Sequence, residues 1–317
     1  MGRRHHRPRL YPGCTGTGNR GGFLRPPGRS SHRRLPDVKE DTLAKQRETV
    51  EVIRKGARAD VVLSRPEVRN AFDDHLISQL SEAFLSLTAD SSVRVIVLSG
   101  QGKVFSAGAD VNWMRASIDL SSDENRNDAL RMARLFSTIS ASRCPVIVRA
   151  HGAALGGGAG LVCAGDIAIA EEKCLFAFSE VRLGIIPAVI SPHAVARIGA
   201  QEARRWFLTG EKFSAEVALR IGMIHELCSA EQLDEKVDQM VESVLRSGPE
   251  AVQEAKRLIR EVSGLPTPES LAEFTAERIA ARRASQEGQA GLQSFLDGKE
   301  PPWIGDGQVE STESGSG

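Results

Sequence analysis

Residues 144–166, CPVIVRAHGAALGGGAGLVCAGD, decide the reading of this chain. An apolar run of strand type ends at Ala150, small residues follow, and three consecutive glycines lead into a helix of small residues. Glycines at such a junction let the backbone approach a ligand closely, and the helix start points N–H groups at it from a positive end. An earlier stretch is organised the same way. The run VRVIVLSG (93–100) ends in glycine and continues as QGKVFSAGADVNWM (101–114), where Ala107, Gly108 and Ala109 form a sharp turn with little side-chain bulk. Alone, each loop reads equally well as a tight turn against a crowded helix. Two of them, each behind an apolar strand, point to backbone donors aimed at a ligand. Neither matches GxGxxG, and GGGAG lacks the Gly-Lys-Ser/Thr of a phosphate loop.

Around these loops the pattern alternates. VEVIR (50–54) and DVVLS (60–64) predict a hairpin, and a helix is expected from about Asp74, with Leu76, Leu80, Phe84 and Leu87 on one face. A second helix is expected over 124–141, and DIAIAEE (166–172) and LFAFSE (175–180) supply two more short strands. Strands alternating with helices give an α/β core. After Ile185 helical segments dominate, at 192–209, 214–221, 230–246, 249–262 and 268–284, with MIHEL (223–227) as a late strand. Ser214 is placed to cap one of these helices, with Glu216 in its first turn.

The 317 residues carry no formal net charge, but residues 1–35 hold nine Arg, three His and no acid. Without those nine Arg, 32 basic side chains face 41 acidic ones, so the folded body is mildly acidic and offers no basic footprint for nucleic acid. Five cysteines (Cys14, Cys144, Cys163, Cys174 and Cys228) form no CxxC pair and no metal spacing, so no metal site is expected and a reducing compartment is. No apolar run reaches the roughly 20 residues of a membrane helix. Residues 1–47 read as a basic, disordered extension, a transit peptide or an upstream start, and 303–317 as a disordered tail. The expected division is an α/β core over 48–245 and a helical region over 246–302.

FSAGAD, GAALGGGAG, Asp166 and FSEVRLGIIP, taken in order, resemble the signature of the crotonase (enoyl-CoA hydratase/isomerase) superfamily, and RPEVRNAF (65–72) resembles its adenine-side segment. The resemblance covers about 48–302. It implies a spiral of ββα units, a helical C-terminal region that builds a homotrimer or a dimer of trimers, and a coenzyme A thioester as substrate with no separate cofactor. It places the oxyanion donors at the N–H groups of Ala109 and Gly157, with Ala107, Gly108, Asp110 and Gly156 beside the substrate. Two such donors stabilise a thioester enolate by about 3–4 kcal/mol each.

Hydratases of the superfamily usually carry two glutamates. The later is Glu180, while the earlier position is Gly160. A single carboxylate is the pattern of members that shift a double bond, so a Δ3-Δ2-enoyl-CoA isomerase is one reading. NAFDDHLI, SAGADVNWM and the stretch from Ser179 to Leu227 instead resemble the bacterial methylglutaconyl-CoA hydratase branch, whose relatives share AVISP (188–192) and tolerate Gly at that position. That implies hydration of 3-methylglutaconyl-CoA to 3-hydroxy-3-methylglutaryl-CoA, in a cytoplasmic setting or a mitochondrial matrix. The second carboxylate of such a substrate needs a cationic partner, and Arg115 and His193 are the candidates. Val68, Arg69, Phe295 and Lys299 are candidates on the nucleotide side, the last two from a neighbouring subunit. A non-catalytic, RNA-binding relative is the reading from another class, resting on the N-terminal arginines.

Overall fold

The computed structural model describes residues 48–263 and 268–307, so the expectations for 1–47 and 308–317 lie outside the described residues. β1 (Val50–Lys55) and β2 (Arg58–Leu63) form the expected hairpin. α1 (Asp74–Ala89) follows, capped by Asp73, whose carboxylate accepts from Leu76 N at 2.8 Å. Its Leu76, Leu80, Phe84 and Leu87 are buried as the spacing predicts, each worth roughly 1.5–3 kcal/mol of burial. β3 (Val95–Gly100) lies parallel to β2. Then come α2 (Val111–Ala116) and α3 (Ser122–Ala141), the latter started by a Ser121–Glu124 capping box.

The next segments show the repeat. β4 (Val146–Ala150), β5 (Ala153–Leu155) and α4 (Gly157–Ala164) form one unit. β6 (Ile167–Glu171), β7 (Leu175–Ala177) and α5 (Ser191–Thr209) form the next. β8 (Phe213–Ser214), α6 (Ala215–Arg220), β9 (Glu226–Cys228) and α7 (Leu233–Leu245) complete the core. Each unit gives one strand to each of two sheets. Among the described residues the larger sheet runs β1-β2-β3-β4-β6-β9, parallel from β2 onward, and the smaller runs β5-β7-β8. This is a spiral of ββα units.

The apolar runs of β3 and β4 lack alternation because both faces of the larger sheet are covered. Ile96, Leu98, Val146 and Val148 face the main core, while Val95, Val97 and Ile147 face a second one closed by Leu233, Val237 and Val241 of α7. Cys144, Cys163, Cys174 and Cys228 are buried and form no disulfide among the described residues, and burial pushes the Cys163 thiol up to about 12.

A helical region follows: α8 (Pro249–Ser263), α9 (Pro268–Ala284) and α10 (Gln286–Leu296). The carboxylate of Glu287 accepts from Glu250 N and Ala251 N, both at 2.8 Å, so α10 caps the start of α8. Residues 302–307, assigned largely to a tail by sequence, wind as a 3-10 turn in which Trp303 Nε1 donates to the Arg246 carbonyl. Phe295 and Leu296 on α10, and Ile259 and Ile279 on α8 and α9, stay exposed. No helix among the described residues is long and apolar enough to cross a membrane.

Candidate functional site

The two glycine-bearing loops are joined as a miniature sheet at the C-terminal ends of β3 and β4. Phe105 N donates to the His151 carbonyl at 2.9 Å, Ser106 N to that of Ala153 at 3.0 Å, and Leu155 N returns to that of Ser106 at 3.0 Å. Glycine permits this closeness. A Cβ on Gly158 would lie 2.8 Å from Ser106 Cβ, and one on Gly108 would lie 2.9 Å from the Leu155 carbonyl oxygen, besides straining a φ of +93°.

A third segment, the turn over residues 65–72, locks the first loop from outside. Arg69 and Asn70 both sit at positive φ, and the Arg69 carbonyl accepts from Ala107 N at 2.9 Å. The buried Asn70 amide donates toward the carbonyls of Gln101, Val104 and Phe105 at 2.8–3.1 Å, and its oxygen accepts from Arg65 N at 2.9 Å. These bonds offset a left-handed backbone that asparagine tolerates better than most residues. Phe72 N donates to the Gly108 carbonyl at 2.7 Å, and Asp110 N to that of Phe72 at 2.9 Å. Ala109 N stands between these two bonds and donates to no acceptor among the described residues. Gly157 N, at the first position of α4, likewise has no acceptor.

Glu180 opens a short 3-10 turn that follows β7 after Phe178 and Ser179. Beneath it Phe178 packs edge-on against Phe207 at 4.9 Å, so the aromatic core holds the strand end in place. The Glu180 carboxylate lies beside the second loop, its Oε1 being 3.4 Å from where a Cβ on Gly156 would stand. Its Oε2 is buried without a hydrogen-bond partner among the described residues. Burial raises its pKa above the ordinary glutamate value, opposed by its own backbone N–H. The nearby cation Arg182 turns away to the Thr209 carbonyl. A half-buried carboxylate with an unused oxygen and a raised pKa is equipped to take up and release a proton.

Other residues singled out by sequence have different places. Gly160 faces packing: a Cβ there would lie 2.4 Å from Ile190 Cγ2 and 3.1 Å from Phe136 Cε1. Asp110 is committed to structure, accepting from Asn112 N at 2.8 Å as the cap of α2 and pairing with Arg65 at 3.1 Å. Arg115 is exposed on α2, with Asn112 as its polar neighbour at 3.4 Å. His193, in the first turn of α5, is half-buried with its ring 6.1 Å from Phe136. Its ring nitrogens bond to nothing among the described residues, and burial lowers its pKa. Val68 and Arg69 flank the Ala107 turn with exposed side chains. Phe295 and Lys299 belong to the far end of the molecule. α10 packs on α8, and α8 reaches the residues just before β4 through Lys256, opposite the catalytic loops, so one chain does not bring them to its own Glu180.

Arg197 and Lys256, which organise the site, escaped sequence reasoning, whereas their partner Asp166 belongs to the motif read from sequence. Arg197 of α5 donates to the carbonyls of Val162, Gly165 and Asp166, closing the C-terminal end of α4. Asp166 accepts from Val146 N and from the buried Lys256 Nζ, both at 2.7 Å. The donor end of α4 is therefore fixed from behind by α5 and α8. Among the described residues no three metal-ligating side chains cluster.

Residues 54–306 match the family model described as enoyl-CoA hydratase/isomerase. The solved enoyl-CoA hydratase of Shewanella pealeana is 37% identical, with a TM-score of 0.78 over 81% of this chain and 97% of that one. An enoyl-CoA hydratase/isomerase from Marinobacter aquaeolei is 33% identical, with a TM-score of 0.76 over 81% and 99%. The 2,3-dehydroadipyl-CoA hydratase of Escherichia coli K12 is 28% identical over 77% of this chain and 94% of its own length.

Proposed function

The chain belongs to the enoyl-CoA hydratase/isomerase family, and from that premise we propose that it hydrates an enoyl-CoA thioester of the 3-methylglutaconyl type to the 3-hydroxy-3-methylglutaryl product. The observation that carries the chemistry is Glu180 standing against Gly156 where the two loops touch, with the N–H groups of Ala109 and Gly157 and the Glu180 Oε2 all without partners among the described residues. The thioester oxygen accepts from both donors, and charge moves onto it as the β-carbon is attacked. Donors already fixed by the joined loops need no reorganisation at that moment. Glu180, ionised, removes a proton from water as oxygen bonds to the β-carbon, and the α-carbon then takes up a proton.

The acyl group is read from His193. It is half-buried against the Phe136 ring and has no polar partner among the described residues, whereas Arg115 is exposed and Asp110 is used by Arg65. A distal carboxylate bonds to that ring and favours its protonated form. The name of the Escherichia coli relative implies an enoyl thioester with a distal carboxylate, which supports a dicarboxylic acyl chain here. The exposed apolar side chains of α8–α10 support assembly into a trimer, which would bring Phe295 and Lys299 to a neighbour's nucleotide.

Incubation with 3-methylglutaconyl-CoA, crotonyl-CoA and a 3-enoyl-CoA tests the reading. Hydrated 3-hydroxy-3-methylglutaryl product is expected, and His193→Ala should raise KM for the dicarboxylic substrate at least tenfold more than for crotonyl-CoA. Rapid double-bond migration without hydrated product would sink the proposal.

A further inference from the structure

We infer that Ile190 is the residue that confines this site to one acid–base group: its side chain stands where any side chain at position 160 would begin, and Glu180 therefore carries both proton transfers. The inference rests on the enolate chemistry proposed above, and it concerns a position that chemistry does not use.

Gly160 lies three residues beyond Gly157 on α4, so the two share a helix face and a side chain at 160 would point to the acyl side of the Gly157 donor. That direction is closed. A Cβ at 160 would meet Ile190 Cγ2 at 2.4 Å and Ile190 Cβ at 3.0 Å, with Phe136 Cε1 at 3.1 Å on the other side. Ile190 cannot swing away cheaply. It is 1% exposed, β-branched and stiff at χ1, and it sits between Pro187 and Pro192 at the start of α5. The Ala194 N–H bonds to its carbonyl at 3.0 Å, which fixes the backbone as well. Gly160 and Ile190 are thus a matched steric pair, and the sequence VISP supplies the half that glycine accommodates.

With no second carboxylate admitted, the protons balance through one group. Glu180 takes a proton from the attacking water while the C–O bond forms and the C=C electron pair moves onto the thioester oxygen. The same carboxyl then delivers that proton to the α-carbon as the enolate collapses, so water adds with no net change at Glu180. Burial and its own backbone N–H set its ionisation, while Arg182 is held by Thr209 and His193 lies against Phe136.

The test separates this from the choice of substrate by following exchange of the α-protons of butyryl-CoA in D2O by NMR, which needs the donors and a base but no hydration. In the native background Glu180→Gln should lose at least a hundredfold in exchange. In a Gly160→Glu/Ile190→Gly background the same Glu180→Gln change should cost less than tenfold, and the pH profile of exchange should gain a second ionisation. Melting temperatures give an independent reading, since Gly160→Ala should be strongly destabilising beside Ile190 and much less so beside Ile190→Ala or Ile190→Gly. If Gly160→Glu alone keeps the native melting temperature and gains the second ionisation, Ile190 bars nothing and the inference is overturned. Equal penalties for Gly160→Ala in all backgrounds overturn it too. Intact exchange without hydration of any enoyl-CoA would instead count against the proposed function.

Discussion

Replacing Gly108 by alanine loads the first loop in two separable ways. The first is conformational, because a φ of +93° costs a residue with a Cβ about 1–2 kcal/mol. The second is a collision. The new Cβ would lie 2.9 Å from the Leu155 carbonyl oxygen, half an ångström inside the 3.4 Å of ordinary contact. That oxygen cannot yield easily, since Leu155 N is bound to Ser106 and Gly156 N to Ala177. The turn itself must move, and Ala109 N moves with it. A displacement near 0.5 Å of one oxyanion donor should lower kcat/KM by roughly tenfold, given that about 1 Å can cost a hundredfold. Gly56 supplies the control: its φ is +57°, a Cβ there meets nothing within 4 Å, and it sits in the β1–β2 turn away from the site. Urea denaturation and steady-state hydration of crotonyl-CoA read both variants. Gly56→Ala should lose about 1 kcal/mol and keep its activity; Gly108→Ala should lose more stability and most of its activity. Native kcat/KM in Gly108→Ala, with a stability loss no larger than the control's, would refute the argument that this turn aims the donor.

Further outcomes follow from contacts at three residues. Glu180→Gln should reduce kcat by about 10²–10⁴-fold, and the acid limb of the native kcat/KM profile should fall above the ordinary glutamate value of 4.5, because burial raises this pKa. The linkage sign gives a companion result. A raised folded-state pKa contributes stability that is full below the unfolded value and lost as pH rises through the folded one, so Glu180→Gln should melt above native at neutral pH; a lower melting temperature would contradict the buried, unpartnered carboxylate. Lys256→Met should cost about 3 kcal/mol by urea denaturation, since it strips the half-buried Asp166 of its buried cation. Asn70→Ala should cost about 2–4 kcal/mol by leaving the carbonyls of Gln101, Val104 and Phe105 short of a donor, with activity falling as the first loop loosens.

Where periodicity and local chemistry decide, the sequence was legible. The hairpin, the buried face of α1 and the Ser214 cap appear as expected, with Ser214 accepting from Val217 N. β5 and β8 were not foreseen, for strands of three and two residues carry no period of their own. The break at Gly199 inside α5, at φ 74° and ψ 160°, is equally invisible to a helical pattern that continues on both sides. At the site, the two turns stood out in the sequence because runs of small residues and glycine behind apolar strands are unusual in themselves, whereas Glu180 was picked out by the family resemblance. The job of Asp110 was not, because it depends on Arg65 folding back from 45 residues earlier. The pairing of Gly160 with Ile190 is of the same kind, since neither residue alone suggests a steric fit. Local pattern gives the parts, and contacts between distant segments decide which part does chemistry.

The way α4 is closed at one end has a consequence for binding. Arg197 donates to carbonyls at the C-terminal end of the helix, while the N–H of Gly157 at its start has no acceptor among the described residues. A helix in that state is an unfinished hydrogen-bonded element, and an oxyanion at Gly157 becomes its missing N-terminal cap. Ligand binding then completes secondary structure. Amide hydrogen exchange along α4 should slow most at its first turn when a thioester binds, and Arg197 ties the other end of α4 to α5, the helix that carries Ile190 and His193 at its start.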